Sequence, residues 1–215
     1  ALTDLETGET RLGRFGYKAS KAHLKHHIAS ALNTDMGITT SFYPTIDHKN
    51  TGSSLEINDE ELDLMYRYVA LLAVMPQRNF NNANVLQGKR LFSWANCVAC
   101  HKDEIQTSDY HPLTELRNQT IRPYTDLLLH DMGPGLADNM GEELASGSEW
   151  RTAPLWNIGH TDEVSGGEAY LHDGRARSIE EAILWHGGEA EASKEAFRTM
   201  SASNRNALVQ FIKSL

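Results

Sequence analysis

The 215-residue sequence predicts an all-α fold with long loops, and three observations support this prediction. Several segments place apolar residues at helical spacing and begin or end with helix-capping residues. No segment shows the apolar–polar alternation of a half-buried strand. Prolines and glycines interrupt the middle of the chain, from about residue 102 to residue 174, and divide it into loops.

The clearest predicted helix runs from Asp59 to about Met75, because Asn58 is a favourable N-cap and a proline follows the last apolar residue. A second well-marked helix begins after Ser178, where the sequence SIEE has the pattern of a capping box, and two glycines stop it after His186. Further helices are predicted over residues 21–32, 83–94 and 203–215, with a short one over 124–130.

Composition and charge restrict the classes of function. The formal net charge is -9, and no basic stripe is present, so a general nucleic-acid-binding protein is excluded. The same acidity suits docking to a basic protein. No run of about 18 apolar residues occurs, so no membrane span is expected. The first residues do not resemble a signal peptide, and export would require that a leader has been removed.

The two cysteines of the sequence lie in one motif, CVACH, which runs from Cys97 to His101. Two thiols at this spacing can add to the two vinyl groups of a haem, and the histidine that follows can then bind the iron. The helix predicted over 83–94 leads directly into the motif. The spacing therefore predicts one covalently bound haem c, attached through Cys97 and Cys100, with His101 as an axial ligand.

Other uses of the cysteine pair fit the sequence less well. A thioredoxin-like redox pair would need a βαβ context, which the pattern lacks. A structural zinc ion would need two further ligands at compact spacing. A disulfide would leave His101 unexplained. Because the attachment of haem c needs reduced cysteines and export machinery, we expect a periplasmic protein or one exported to the bacterial cell surface.

The ligand on the other side of the iron decides the chemistry. Methionine raises the reduction potential, a second histidine gives a closed electron-transfer centre, and an empty position admits peroxide or oxygen. His186 can project past the end of its predicted helix, although a favourable interaction with the helix dipole explains a histidine there equally well. The residues alone leave five candidates: His186, Met132, His172, His130 and Met200.

Two arginines are candidates for binding the haem propionates. The guanidinium group is a favoured bidentate partner of carboxylates, which suits both Arg151 and Arg175 to this role. A position on the surface is the alternative for each of them.

Several blocks of the sequence resemble the bacterial di-haem oxidoreductases. In the C-terminal half these are residues 151–156 (RTAPLW), 170–175 (YLHDGR) and 180–190 (EEAILWHGGEA). The chain resembles in particular the di-haem cytochrome c peroxidases that are also called thiol oxidoreductases, and residues 12–19, 35–39 and 124–138 fit the same subgroup. The resemblance implies a c-type cytochrome-like haem domain over residues 79–215, the C-terminal haem domain of the family. Residues 1–78 then form an N-terminal helical extension, which is either separate or the remnant of a preceding haem domain.

The resemblance also narrows the choice of the distal ligand. In the di-haem peroxidases this ligand is a methionine on the short helix that follows a His-Asp-Gly motif, and in the related enzyme that matures methylamine dehydrogenase it is a tyrosine. The matching position is His186, which implies ligation of the iron by His101 and His186, with Met132 as the alternative. By the same comparison His172 is a structural hydrogen-bonding residue rather than a ligand.

Two further features of the peroxidases have weaker counterparts. The acidic residue that assists peroxide cleavage corresponds to Asp35, for which a structural role at the end of a helix is the alternative. The interdomain calcium would correspond to carbonyl groups near residues 167–169, where its upstream ligand is missing.

Family members carry two haem motifs, whereas this chain carries one, so we expect a C-terminal fragment or a relative with a single haem. The resemblance implies an electron-transfer domain that relays electrons to or from a second haem absent from this chain. Its partners would be a redox protein, as donor or acceptor, and an upstream haem domain. The alternative is a peroxidase-type oxidoreductase in which this haem itself reduces peroxide. Whether the chain alone is an enzyme stays open, and thiol chemistry is not expected because no second cysteine pair exists.

Overall fold

Helices dominate the computed structural model, which describes residues 1–46 and 54–215. The α-helices are α1 (Leu24–Met36), α2 (Asp59–Ala70), α3 (Ala83–Trp94), α4 (Thr161–Ser165), α5 (Ile179–Trp185), α6 (Glu191–Thr199) and α7 (Ala202–Ser214). Six short strands form three antiparallel pairs: β1 (Leu2–Thr3) with β2 (Thr10–Arg11), β3 (Ile105–Gln106) with β4 (Thr120–Ile121), and β5 (Leu129–Asp131) with β6 (Glu149–Arg151). The predicted predominance of helices is confirmed, but the three strand pairs mean that the fold is not strictly all-α. Within the described residues, no helix is long and apolar enough to cross a membrane.

The larger core forms where α3 packs against α7. Gly88 makes this close approach possible, because a Cβ atom there would overlap the carbonyl oxygen of Ala207 and lie 2.6 Å from the Cβ of Phe211. Beside the crossing, the rings of Phe92, Tyr124 and Phe211 meet edge to face, with centroids 5.4 to 6.0 Å apart. These aromatic contacts fix the end of α3, which leads into the cysteine motif.

A second, smaller core lies between α1 and α2. Its buried residues are Ala29, Leu32 and Leu62. The smaller core thus falls within residues 1–78 and the larger one within 79–215. The proposed boundary between two domains at residue 78 stays a prediction.

Helix α3 has the bounds that the sequence predicts, whereas α2 begins where predicted but ends earlier. The predicted helix over 59–75 ends at Ala70 instead of near Met75. The chain leaves the helix there and crosses to the larger core, where the amide of Met75 donates to the side chain of Asn157, 2.9 Å away. A tertiary contact therefore decides the end of this helix.

The sequence predicted a short helix over residues 124–130, and this prediction is wrong. The sequence analysis also did not predict helix α6. Tyr124 and Leu127 have φ angles of 54° and 60°, which a right-handed helix does not accept. The following residues pair with β6 as strand β5 instead. This segment is held by contacts with distant parts of the chain, because Thr125 donates from its amide to Lys102 and from its hydroxyl to Thr152.

Candidate functional site

A largely apolar cavity of about 400 Å³ lies beside the cysteine motif. Its volume falls in the range of about 300–1,000 Å³ that is usual for small-molecule and cofactor sites. Cys97, Cys100, His101, Met132 and His186 all line it. The structure therefore brings together the predicted attachment residues, the predicted axial ligand and both leading candidates for the opposite ligand.

His101 is held in one orientation and one tautomer. Its Nδ1 lies 2.9 Å from the carbonyl oxygen of Tyr124, so this nitrogen carries the proton and donates it. Burial lowers the pKa of His101 to about 4, which keeps the ring neutral. A neutral imidazole with a protonated Nδ1 has its lone pair on Nε2.

His186 shows the same arrangement on a different element. It ends α5 as the C-cap, and its Nδ1 donates to the carbonyl oxygen of Ala182, 2.8 Å away. Burial lowers the pKa of His186, so this ring is also neutral. A neutral ring gains little from the dipole of a helix C-terminus, which removes the dipole as an explanation for this histidine.

Glycines allow the segment after His186 to touch strand β5. A Cβ atom on Gly188 would overlap the carbonyl oxygen of Asp131, and one on Gly187 would lie 2.9 Å from the carbonyl oxygen of Met132. Gly188 also has a φ angle of 53°, which other residues rarely adopt. The two glycines thus hold His186 and Met132 on neighbouring stretches of backbone.

The two cysteines are free thiols, and their setting does not favour thiol catalysis. Burial raises the pKa of Cys97 to about 11 and also raises the pKa of Cys100. A reactive cysteine needs the thiolate at neutral pH, which requires a lowered pKa. The absence of thiol chemistry that the sequence predicted is consistent with this environment.

Cys100, Asp126 and His130 also form a cluster in which the candidate metal-binding atoms lie within 4.8 Å of one another. His130, however, contacts Asp126 through Nε2 at 3.0 Å and Glu189 through Nδ1 at 2.9 Å. Burial alone would lower its pKa, but the hydrogen bonds to Glu189 and Asp126 outweigh burial and raise the pKa. Because each ring nitrogen of His130 already faces a carboxylate oxygen, neither is free for a metal ion, and this cluster is an ion-pair network at the cavity wall.

Arg151 lines the cavity, whereas Arg175 does not. The Nε of Arg151 donates to Gly16 and its Nη1 to Thr152, both through carbonyl oxygens. In the described part of the chain, no carboxylate lies within ion-pair distance of Arg151. Burial lowers the pKa of its guanidinium group. Arg175 is paired with Asp173 and donates to a backbone carbonyl, so the geometry gives its predicted haem role no support.

Of the candidates Asp35 and His172, only His172 lines the main cavity, and Asp35 lines a separate one. Asp35 lines a smaller polar cavity of about 170 Å³, together with residues of α1 and not with the cysteine motif. The structure therefore does not bring this catalytic candidate to the main cavity. His172 does line the main cavity, where its ring stacks on Trp150 with centroids 3.5 Å apart. His172 thus has a packing contact at this place, and its implied role as a hydrogen-bonding residue stays a prediction.

The N-terminal segment also contributes to the cavity, which the sequence did not foresee. Tyr17 lines it, and the buried Lys18 places its ammonium group 3.5 Å from the centre of the Trp150 ring. The amide of Arg151 donates to the carbonyl oxygen of Tyr17 at 2.8 Å. The one sign of this contact in the sequence was that residues 12–19 form one of the blocks with a family resemblance.

Comparison with known proteins identifies the family. Residues 48–215 match the family described as "Di-haem oxidoreductase, putative peroxidase". The chain belongs to this family. Its members share a haem-based redox role, and the cavity with its cysteine and histidine donors fits a haem. No curated protein sequence is significantly similar to this di-haem oxidoreductase chain.

Among solved structures, a chain of hydrazine synthase from Kuenenia stuttgartiensis, pressurised with 20 bar of xenon, is similar with a TM-score of 0.49 and 19% sequence identity. The similarity covers 77% of this chain and 58% of that chain, so the present chain spans less than two thirds of its length.

Proposed function

We propose that this chain is a c-type electron-transfer domain of a di-haem oxidoreductase. Cys97 and Cys100 would attach one haem through thioether bonds, and His101 and His186 would bind its iron. When bound, such a haem supplies one-electron chemistry of iron. The physiological partners would be a redox protein and a second haem held outside this chain.

The pair of imidazoles carries this proposal. Each of two histidines in one cavity donates Nδ1–H to a backbone carbonyl, stays neutral by burial and keeps Nε2 for a metal. A hydrogen bond from the ring nitrogen that does not bind the metal is the usual way in which proteins orient a histidine ligand. Two oriented, neutral imidazoles favour a closed six-coordinate iron over one that opens to peroxide.

Arg151 supports the presence of an anionic cofactor. It is a cavity-lining cation with two carbonyl contacts and, within the described residues, no carboxylate partner. Burying a charge without an opposite charge is costly. A haem propionate would supply the missing negative charge and accept a charge-assisted hydrogen bond from the remaining guanidinium nitrogen.

The residues around the donors would exclude water. The cavity lining is mainly apolar and includes Phe92, Leu136 and Ile183. An apolar surrounding lowers the local dielectric around the iron and hinders access of water and peroxide. Because haem c is attached outside the cytoplasm, the proposal includes a periplasmic or cell-surface location.

The experiment is a comparison of absorption spectra of the ferric and ferrous forms in the wild type and in His186→Ala, after expression in a host able to attach haem c. We expect a low-spin wild type without the far-red band of methionine ligation and a high-spin variant. His160→Ala is the control, because His160 pairs with Glu163 outside the cavity. Mass spectrometry should find one haem in the wild type and none in Cys97→Ser/Cys100→Ser.

An unchanged spectrum of His186→Ala would remove His186 from the site, and a change confined to Met132→Ala would assign the ligand to Met132. A high-spin wild type that turns over peroxide would favour the peroxidase alternative.

A further inference from the structure

A tight turn near the start of the chain places Tyr17 at the mouth of the main cavity. Phe15 and Lys21 pair across this turn, and Gly16 adopts a φ angle of 79° at its tip. Tyr17 lines the cavity and is nevertheless 59% exposed, so it stands where the cavity opens to solvent. The turn belongs to residues 12–19, one of the blocks that resemble the family in sequence.

Arg151 fixes this turn to strand β6. Its amide donates to the carbonyl oxygen of Tyr17, and its Nε donates to the carbonyl oxygen of Gly16, both at 2.8 Å. Lys18 anchors the tip from the other side, because its buried ammonium group donates to the backbone carbonyl oxygens of residues 146 and 147. The backbone of Tyr17 therefore has a fixed position beside Arg151.

Arg151 and Tyr17 each keep an unused hydrogen-bond donor. The guanidinium group donates through Nε and Nη1 to carbonyl oxygens, and Nη2 has no acceptor within residues 1–46 and 54–215. In the same ranges the hydroxyl group of Tyr17 forms no hydrogen bond. Burial lowers the pKa of Arg151 and the phenol of Tyr17 counteracts this, which requires the two side chains to lie close together. Two neighbouring donors suit one acceptor with two oxygens, such as a carboxylate.

The charges of the cavity wall favour an anion at Arg151 and disfavour one beside the cysteines. Near Cys100 the wall carries the carboxylates of Asp126 and Glu189. Lys194 also lines the cavity but is paired with a glutamate of its own helix. The vinyl groups and the propionates of a haem lie on opposite edges of the macrocycle. Attachment at the cysteines would therefore direct the propionates away from these carboxylates.

We propose that Arg151 and Tyr17 together bind one haem propionate, so that the N-terminal turn completes the cofactor site. This binding rests on the proposed function, because it needs a haem in the cavity. Arg151 supplies the positive charge, and the Tyr17 hydroxyl donates a hydrogen bond to the same carboxylate. Both donors stabilise the ionised form of the propionate and therefore lower its pKa.

The pH dependence of the reduction potential, measured on the haem-loaded full chain, tests this binding. An ionised propionate favours ferric iron, so the potential falls as pH rises through the pKa of the propionate. Tyr17→Phe keeps the ring but removes the donor, which should move this step to higher pH by about one unit. Arg151→Gln removes a charge and should move the same step further, whereas Arg151→Lys keeps the charge and should move it less.

Other groups could also produce a step in this profile. Besides the two histidines that would bind the iron, ionisable side chains at or behind the cavity wall include Lys18, His27, His130, His172, Glu189 and Lys194. The step of the propionate is the one that the Arg151 variants move. Tyr110→Phe is the matched control, because Tyr110 is 86% exposed and does not line the cavity, and it should leave the profile unchanged.

Circular dichroism and the low-spin absorption spectrum check that each variant keeps its fold and its iron ligands. A profile that Tyr17→Phe leaves unchanged, while the Arg151 variants move the step, would remove Tyr17 from the site. A profile that none of these variants moves would overturn the proposal as a whole. In both cases an attached haem with two histidine ligands would leave the proposed function intact, whereas a wild type without haem would overturn both.

Discussion

His130 is the residue whose charge is most clearly set by its neighbours. Its ring lies between Asp126 and Glu189 and is half-buried at the cavity wall. The pKa of His130 is raised, whereas the pKa values of Asp126 and Glu189 are lowered, so all three directions describe the same charged network. Glu189 is largely exposed, so its pair with His130 contributes little to the free energy of unfolding. The hydrogen bond between His130 and Asp126 therefore makes the main contribution.

The variant His130→Gln should therefore lower the free energy of unfolding by about 1 kcal/mol, and only in mildly acid solution. The contribution of His130 is complete below its unfolded pKa of about 6.5 and is lost as pH rises through the higher folded-state pKa. The contribution of Asp126 to the free energy of unfolding is present above about pH 4 and is lost as pH falls through the lowered pKa of Asp126. Urea unfolding from pH 4 to 9 measures the difference.

The largest difference between the wild type and His130→Gln should appear between about pH 4 and pH 6.5. His160→Gln, which alters an exposed pair with Glu163, is the control and should change stability little. A loss of stability that is equal at all pH values would mean that packing, and not charge, is the role of His130.

At the scale of elements, the contact between the segment after α5 and strand β5 places His186. The variant Gly188→Ala should destabilise the fold by about 2 kcal/mol, because its Cβ atom would overlap the carbonyl oxygen of Asp131 and its backbone would be strained. Since the displaced segment carries His186, the absorption spectrum of the haem-loaded protein should change as well. Thermal unfolding and the spectrum are the two measurements.

Two other glycines separate the causes. Gly166 has a φ angle of 68° with open space around the position of its Cβ, and Gly167 has open space and no unusual φ angle. Gly166→Ala should show the cost of backbone strain alone, and Gly167→Ala should show no cost. If Gly188→Ala cost no more than Gly166→Ala, the close contact with β5 would be unimportant.

The sequence predicted those elements whose ends depend on local residues. Helix α3 has its predicted bounds, and α5 begins at the Ser178 cap, where the hydroxyl accepts from the amide of Glu181. The segment from residue 124 to 131 depends on distant contacts and on positive φ angles at Tyr124 and Leu127, for which neither residue type gives a signal. Local chemistry was therefore predictable and tertiary contacts were not.

The same distinction holds for the candidate site. The spacing of Cys97, Cys100 and His101 is local and needs no knowledge of the fold. The proximity of His186 to the motif came from the family resemblance, because 85 residues separate it from His101. The different placements of Arg151 and Arg175 could not be predicted, since only the folded chain shows which guanidinium reaches the cavity.

At the scale of the whole molecule, Lys18 connects the first part of the chain with residues 138–147. Its buried ammonium group donates to Asp138 at 3.3 Å and to the carbonyl oxygens of Ser146 and Gly147 at 2.9 and 3.1 Å. Lys18→Met should lower the free energy of unfolding by about 1–3 kcal/mol, because it removes three hydrogen bonds of a buried ammonium group, while each of the three acceptors keeps one backbone amide donor. If residues 1–78 and 79–215 unfold together, a single calorimetric transition should move to lower temperature. Lys89→Met, on the exposed side of α3, is the control and should not move it. Two transitions of which the variant shifts only one would instead show that the predicted N-terminal segment is a separate domain.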